Sequence, residues 1–126
     1  MQALNIEETK FTMKIDFDPI TGFCSMDGNS YPEDAISFFE PIVDWLKDYI
    51  SQVKGPVKLR IRLNYLNSSS SKCFMDIFDT LEDYHVAGGD VFVEWVYNED
   101  DDEIHDSGEE LLEDMSFRYE FVVEND

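Results

Sequence analysis

Basic residues are scarce in this sequence, and their scarcity excludes two classes of partner. The 126 residues include 9 Lys and Arg against 29 Asp and Glu, so the formal net charge is −20. A polyanion of this kind repels nucleic-acid phosphates and anionic lipid headgroups. We therefore expect no nucleic acid and no membrane among its partners.

Long apolar runs and cysteines are also few. No run approaches the roughly 18 to 20 residues that span a bilayer, and segment 1–10 lacks the basic start and apolar stretch of a secretory signal. Only two cysteines occur, Cys24 and Cys73. In a chain that does not look secreted, we expect both to be free thiols and the location to be cytoplasmic.

Core-forming residues, in contrast, are plentiful. Hydrophobic residues make up 43% of the chain and aromatic residues 14%, a composition typical of a folded domain and not of a disordered segment. A chain of this length buries roughly two-thirds of its unfolded surface around a single core. We expect one domain spanning residues 1–126.

Alternation of apolar and polar residues predicts strands in the N-terminal part. Residues 11–17 alternate, 18–22 have turn chemistry, and 23–27 return as a hairpin partner. A short strand near residues 4–7 is a further expectation. Ser30 is expected to cap the first helix, Pro41 to kink or break it near residues 38–40, and residues 54–56 to end it. Its predicted buried stripe is Phe39, Val43, Leu46, Ile50 and Val53.

The clearest predicted strand is 57–66, with Val57, Leu59, Ile61, Leu63 and Tyr65 on one side and Lys58, Arg60, Arg62 and Asn64 on the other. A parallel strand covered on both faces would be apolar throughout, so one face of the sheet is expected to meet water. Two further strands are predicted at 91–97 and 117–123. On the open face, we expect the arginines at 60, 62 and 118 to pair with Glu94 and Glu120.

Helices are predicted between these later strands, at 69–87 and 102–115. Strand–helix–strand order implies parallel strands joined by right-handed crossovers. The predicted fold is a single α/β domain with a mixed sheet, an N-terminal antiparallel hairpin and two βαβ units, with helices mainly on one face.

A serine cluster lies where strand 57–66 gives way to a helix. It comprises Asn67, Ser68, Ser69, Ser70, Ser71 and Lys72. Unpaired N–H groups and the helix dipole favour an anion at such a turn, and Lys72 lies one turn on. Two interpretations stay open at this point: the side chains cap the helix, or one hydroxyl accepts a phosphate.

Other candidate chemistries are weak. No glycine lies between Leu66 and Lys72, so a phosphate-cradling nucleotide loop is not indicated. The acidic run 98–103 lacks the pattern of an EF-hand and is interpreted as a solvated loop. His85 and His105 lack neighbours at ligand spacing, and Cys73 falls beside an apolar stripe. We expect no catalytic residue, no cofactor and no metal.

Several of these motifs together resemble a known family. Residues 65–72, followed by 75–79, are similar to the motif Leu-Asn-Thr/Ser-Ser-Ser-x-Lys and the apolar helix of the bacterial SiaC-type regulatory phosphoproteins. The helix ends in Leu81-Glu82-Asp83-Tyr84-His85 and Gly88-Gly89, and residues 28–34 resemble the family segment Gly-x-Ser-Tyr-Pro-Glu. The resemblance covers nearly the whole chain.

The resemblance implies a STAS-like fold and a regulatory, non-enzymatic role. A serine/threonine kinase with a histidine-kinase-like ATPase fold would phosphorylate Ser68, with Ser69 as the second candidate, and a PP2C-type phosphatase would reverse this. Asn67, Ser69, Ser70, Ser71 and Lys72 would form the surrounding partner- or phosphate-binding surface. The unphosphorylated form would bind and activate a diguanylate cyclase (GGDEF) protein, raising cyclic di-GMP and promoting biofilm. The alternative is an anti-sigma-factor antagonist or another partner-switching adaptor without a cyclase target.

Overall fold

Strands and helices alternate along most of the chain in the computed structural model, which describes residues 1–125. Their bounds are β1 (Leu4–Ile6), β2 (Lys14–Phe17), β3 (Phe23–Ser30), α1 (Ala35–Gln52), β4 (Val57–Leu66), α2 (Ser68–Val86), β5 (Val91–Asn98), α3 (Asp102–Leu112) and β6 (Arg118–Glu124). No helix among these residues is long and apolar enough to cross a membrane.

The strands form one mixed sheet in simple sequential order, β1-β2-β3-β4-β5-β6. β1–β2 and β2–β3 pair antiparallel, which confirms the N-terminal hairpin and the short first strand. The remaining neighbours pair parallel. Because α1 also joins two parallel neighbours, β3 and β4, the sheet contains a βαβ unit in addition to the two that the sequence predicts.

The helices share one face of the sheet because of this order. Each crossover moves to the next position in the same direction, and right-handed crossovers taken in one direction leave their helices on the same side. The inward strand residues and the helices build one continuous core, which includes Ile15, Met26, Ile61, Phe74 and Trp95. The predicted α/β fold with helices on one face is confirmed.

Charged side chains pair across the opposite, open face of the sheet. Arg60 approaches Glu94 at 3.7 Å, as expected. Arg62 instead bonds Asp27 at 3.0 Å and Glu124 at 2.6 Å. Arg118 contacts Glu120 of its own strand at 3.4 Å. The prediction of cross-strand pairing therefore holds for Arg60 and names the wrong acids for Arg62. For Arg118 it is wrong, because the partner lies in the same strand.

Helix α1 begins later than the sequence predicts, because another residue caps it. Asp34 is the N-cap, and its carboxylate accepts a hydrogen bond from the Ser37 N–H at 3.2 Å. Ser30, the predicted cap, is the last residue of β3 and is buried. The prediction for Ser30 is wrong because the chain stays paired with β4 until that residue.

Helix α1 also continues through Pro41, so of the predicted kink or break near residues 38–40, the break does not occur. Proline lacks the N–H that would donate to the carbonyl of Ser37, but both residues are exposed, and water can satisfy that carbonyl. The observed buried stripe is also rotated from the predicted one. It consists of Ala35, Phe39, Ile42, Trp45, Leu46 and Tyr49.

The end of β4 departs from simple alternation. Gly28 lies opposite Leu63 and Asn29 lies opposite Tyr65, so Asn64 is an extra residue and forms a β-bulge. The bulge reverses the alternation, leaves Tyr65 50% exposed and packs Leu66 against the core. The prediction that Tyr65 points inward with Leu63 is therefore wrong.

β2 begins at Lys14, three residues after its predicted start, and β3 ends at Ser30, three residues after its predicted end. The remaining boundaries differ by three residues at most. α2 begins at Ser68, one residue earlier, and Gly88 follows it with a φ of 105°, as suits a glycine after a helix end. α3 ends at Leu112, three residues before the predicted end. β5 and β6 lie within a residue of the predicted bounds.

Candidate functional site

The turn between β4 and α2 is held in place by Asn67. Its side-chain oxygen accepts a hydrogen bond from the Ser70 N–H at 2.8 Å, which makes it the N-cap of α2. Its own N–H donates to the carbonyl of Ser30 at 3.0 Å. The turn is thus anchored to the end of β3 as well as to its own helix.

Ser70 is a structural residue. It is fully buried, and its hydroxyl oxygen accepts a hydrogen bond from the buried Ser30 hydroxyl at 2.8 Å. A buried hydroxyl pair of this kind satisfies groups that would otherwise be costly to desolvate. Ser70 is inaccessible to a modifying enzyme in this fold.

Ser71 is also engaged within the turn. It is half-buried, and its hydroxyl donates to the carbonyl of Asn67 at 3.2 Å. This side-chain bond supplements the backbone hydrogen bonds of the first turn of α2. The capping interpretation of the cluster is thus confirmed for Asn67, while Ser70 and Ser71 brace the turn.

Ser68 and Ser69 remain as the accessible hydroxyls of the cluster. Both are exposed and occupy the first two positions of α2. By helix geometry their N–H groups have no intrahelical acceptor, and the positive end of the helix dipole lies here. An anion carried by either side chain would meet these N–H groups.

Lys72 is exposed and lies one turn into α2. Together with Ser69 it lines a cavity of about 410 Å³, whose opposite wall is the start of α1. The structure therefore brings Asn67, Ser68, Ser69 and Lys72 together at one accessible end of the helix layer.

An exposed aromatic cluster adjoins this turn and was not recognised in the sequence. The Tyr31 ring packs edge-on against Tyr65 at 5.1 Å and against Phe11 at 5.2 Å, measured between ring centroids. Tyr65 and Phe11 are each about half exposed. The alternation of residues 57–66 predicts an inward Tyr65. The bulge at Asn64 that turns this side chain outward depends on pairing with β3, which the alternation does not show.

The two cysteines are poor nucleophiles. Both are free and buried. Burial, with a smaller contribution from Asp18, raises the pKa of Cys24 to about 12. Burial, with Asp76 as the lesser cause, also raises the pKa of Cys73. A catalytic thiol needs the opposite shift.

His105 has closer acidic neighbours than its sequence spacing suggested. Its Nδ1 lies 3.2 Å from Asp106 and 3.3 Å from Glu109, one turn on. These three groups could each offer one metal-ligand atom, so the interpretation that His105 lacks such neighbours is wrong. A hydrogen bond between the half-buried His105 ring and the exposed Asp106 carboxylate accounts for the arrangement without a metal.

The acidic run 98–103 shapes the start of α3. The Asn98 side chain accepts from the Asp100 N–H at 3.0 Å, and Asp101 caps α3 by accepting from the Ile104 N–H at 3.1 Å. These contacts are local turn and capping bonds. They support the interpretation of a solvated acidic loop.

Comparison with known proteins identifies close relatives. The model of the SiaC family regulatory phosphoproteins matches residues 6–124. An uncharacterised protein of Pseudomonas aeruginosa (strain UCBPP-PA14) is 38% identical over 119 residues, which are 94% of this chain and 94% of that protein.

Solved structures agree with the family match. The crystal structure of apo-SiaC from Pseudomonas aeruginosa superposes with a TM-score of 0.89 at 36% identity, covering 97% of this chain and 99% of that one. The crystal structure of the diguanylate cyclase SiaD in complex with its activator SiaC, from the same organism, gives a TM-score of 0.92 at 36% identity. That match covers 96% of this chain and 99% of the other.

Proposed function

Because the chain belongs to the SiaC family of regulatory phosphoproteins, we propose that it is a non-enzymatic switch whose unphosphorylated form binds and activates a diguanylate cyclase. A similar protein of known structure is an activator in complex with such a cyclase. Activation would raise cyclic di-GMP and promote biofilm. The cytoplasm, where ATP and thiol-reducing systems are present, suits a phosphorylated protein with two free cysteines.

The four serines at the start of α2 differ in exposure, and this difference supports the proposal most directly. Ser70 is buried and Ser71 is bonded within the turn, whereas Ser68 and Ser69 are exposed. Ser68 is the proposed acceptor because it occupies the first position after Leu-Asn in the family-like motif. Ser69 is the second candidate, and Asn67 and Lys72 complete the surrounding surface.

The modification is a reversible phosphoryl transfer. The Ser68 hydroxyl oxygen bonds to the γ-phosphorus of ATP, the bond from that phosphorus to the bridging oxygen breaks, and ADP leaves. The hydroxyl proton passes to a base on a serine/threonine kinase with a histidine-kinase-like ATPase fold. A PP2C-type phosphatase adds water across the phosphoserine bond, which restores the hydroxyl and releases inorganic phosphate.

Phosphorylation would switch binding off locally. A phosphate adds about −1.5 to −2 charge at neutral pH. At this turn the phosphate would be held by the N–H groups of the helix N-terminus. An apolar partner surface packed there would have to remove its water, and an acidic one would be repelled by it. No change of fold is required for the partner to dissociate.

Intact-mass measurement with the kinase and ATP tests the acceptor. We expect the wild-type chain and Ser69→Ala to gain one phosphoryl group, and Ser68→Ala to gain none. Ser69→Ala is the matched control because it removes a neighbouring exposed hydroxyl. Full phosphorylation of Ser68→Ala would refute the assignment.

Cyclase activation is tested separately by adding the chain to a purified diguanylate cyclase from the same organism. The unphosphorylated chain should raise the rate of cyclic di-GMP formation, and the phosphorylated chain should not. Co-purification of a sigma-pathway kinase without any cyclase would instead favour the partner-switching adaptor.

A further inference from the structure

Strand β6 forms one edge of the sheet and is regular along its whole length. Among the described residues 1–125 it pairs with β5 alone, and the register runs unbroken from Arg118 to Glu124. Its seven residues include no Pro and no Lys, and it has no bulge, the features that commonly protect an exposed edge. The opposite edge, β1, is only three residues long. The long edge of this sheet is thus open to another strand.

The backbone groups on the open side of β6 belong to every second residue. The Glu124 carbonyl accepts a hydrogen bond from the Glu99 N–H, which follows β5, at 3.3 Å, so the backbone groups of Glu124 point toward β5. Backbone groups alternate in direction along a strand, so those of Tyr119, Phe121 and Val123 point away from the sheet. These N–H and C=O groups are left for water or for a further strand.

The same residues carry an apolar row on the helix side of the sheet. Tyr119 and Phe121 are half-buried and pack against the core, and Val123 is 47% exposed. The His105 ring of α3 packs against Phe121, with 5.3 Å between ring centroids, yet the row stays accessible from the edge. A second strand laid along β6 would cover these side chains with its own.

The sequence of β6 is complementary to itself when two copies run antiparallel. In one register Phe121 lies opposite the partner's Phe121, and Tyr119 lies opposite the partner's Val123. Arg118 then lies opposite the partner's Glu124, so opposite charges meet at both ends of the pair. The outward backbone groups of the two strands face one another, and the overlap includes all seven residues.

Neighbouring registers place like charges together. Outward residues must face outward residues, so the pairing can shift only in steps of two residues. One step in one direction places Glu120 opposite the partner's Glu120. One step in the other direction places Glu120 opposite the partner's Glu124. Like charges directly opposite destabilise a strand pair, so the register centred on Phe121 is favoured.

We propose that this chain forms a two-fold symmetric homodimer through antiparallel pairing of β6 with β6 of a second copy. The two six-stranded sheets then join into one continuous sheet. The serine turn stays accessible, because Ser68 follows β4 and not an edge strand. The inference is independent of the proposed function and is tested without a cyclase or a kinase.

Salt sets the conditions under which the dimer forms. Two copies with a net charge of −20 repel one another. Added salt screens this distant repulsion more than it screens the short contacts at the interface. In about 0.5 M NaCl and at about 0.1 mM chain, sedimentation equilibrium should give twice the mass of one chain, and dilution should lower it. A mass of one chain under these conditions would overturn the proposal.

A pair of matched substitutions tests the edge. Val123→Lys places a charge in the apolar row, and Ile20→Lys makes the same charge change in the β2–β3 turn, where Ile20 is 92% exposed. Both variants replace accessible side chains, and circular dichroism checks that both fold. Val123→Lys should weaken dimerisation about tenfold or more, and Ile20→Lys should not weaken it. Equal dimerisation of the two variants would refute the use of β6.

Charge reversal tests the register. Arg118→Glu places carboxylates opposite one another at both ends of the strand pair, and Glu124→Arg places guanidinium groups there. Each variant alone should remain monomeric where the wild type dimerises. An equimolar mixture should recover the dimer, because an acid then faces a base at both ends. A fold defect in either variant cannot produce this recovery, and a mixture that stays monomeric would overturn the register.

A second mixture controls for net charge. Lys47→Glu and Glu113→Arg make the same changes of charge at exposed positions outside β6. Each of these variants should dimerise alone as the wild type does. If they too dimerise only when mixed, net charge and not the β6 contact governs association, and the proposal fails.

Hydrogen exchange locates the interface directly. The amides of Tyr119, Phe121 and Val123 should exchange more slowly as the chain concentration rises, because each gains an acceptor in the dimer. In Val123→Lys this concentration dependence should disappear at the same chain concentrations. A dimer that leaves the three amides unprotected would use another surface and would contradict the proposal.

Discussion

Four consecutive serines have three different environments in this fold. Ser68 and Ser69 are exposed, Ser70 is buried against Ser30, and Ser71 bonds the backbone of Asn67. The difference follows from helical rotation, since successive residues turn by about 100° around the axis. A single phosphorylation site can therefore be accessible beside a chemically identical residue that only supports the structure.

The Ser30–Ser70 pair gives a prediction at this scale. Ser70→Ala leaves the buried Ser30 hydroxyl without its acceptor, so we expect the free energy of unfolding to fall by about 1 to 3 kcal/mol. Urea denaturation measures this change. The double variant Ser30→Ala, Ser70→Ala should lose less than the sum of the two single variants, because no hydroxyl is then left unpaired.

Ser69→Ala is the control for this cycle. Ser69 is exposed, so the change in stability should stay within about 0.5 kcal/mol. If the losses of the two single variants simply add, the hydroxyls are not coupled and the buried pair contributes nothing beyond its separate parts.

At the scale of elements, α1 shows how packing overrides local signals. Pro41 predicts a kink or a break, yet the helix continues unbroken over Ala35–Gln52, because Phe39, Trp45 and Leu46 on both sides of it pack into the same core. The rotation that buries these side chains leaves Ile36 exposed and Val43 half-buried. Those two residues then line a cavity between α1 and α2.

Glu82 of α2 ties this helix to the segment before β6. Its carboxylate accepts hydrogen bonds from the Ser116 hydroxyl at 2.6 Å, the Ser116 N–H at 2.9 Å and the Phe117 N–H at 3.3 Å. The Ser116 side chain is the largest cause of a lowered pKa for Glu82, and the two N–H groups also lower it. The charged carboxylate is thus the form that the fold favours.

A pH dependence follows from that shift. Because the folded pKa of Glu82 lies below its unfolded value near 4.3, its contribution is complete above that value and is lost as pH falls through the folded pKa. The difference in unfolding free energy between wild type and Glu82→Gln should therefore be largest near pH 7 and shrink below about pH 4.

Urea titrations over a series of pH values measure this difference. Ser116→Ala removes the strongest donor to Glu82 and should reduce the pH dependence without abolishing it. A difference between wild type and Glu82→Gln that stays constant down to acidic pH would contradict the assignment.

At the scale of the whole molecule, the net charge of −20 is the dominant electrostatic feature. Like charges repel one another more when the chain is compact, so self-repulsion lowers the stability of the folded state. Opposing this are ion pairs on the open face, such as Arg62 with Asp27 and Glu124. Partly exposed pairs contribute little in water.

Salt should therefore stabilise this protein. Raising NaCl from about 0.01 to 0.3 M shortens the screening length from roughly 30 Å to below 10 Å, so the Tm should rise. Differential scanning calorimetry measures the change, and Glu113→Gln, Asp114→Asn should show a smaller rise because it carries less charge. A Tm that falls with salt would show that the open-face ion pairs outweigh the repulsion.

Local patterns in the sequence were sufficient for the overall architecture. Alternation in 57–66 and 91–97 predicts a sheet with one wet face, and the order of elements predicts parallel strands with helices on the other face. The serine cluster after Leu66 was also evident, as were the motifs that carry the family resemblance. These features depend on residues close together in the chain, whose periodicity is set by backbone geometry.

Tertiary structure decided the features that depend on distant partners. The bulge at Asn64 comes from pairing with β3 and turns Tyr65 outward, and Ser70 is buried because Ser30 lies opposite it. The rotation of α1, which exposes Ile36 beside α2, is set by the core below it. No pattern of neighbouring residues indicates these contacts. Each local segment can adopt several similar arrangements, and packing against distant residues selects one of them.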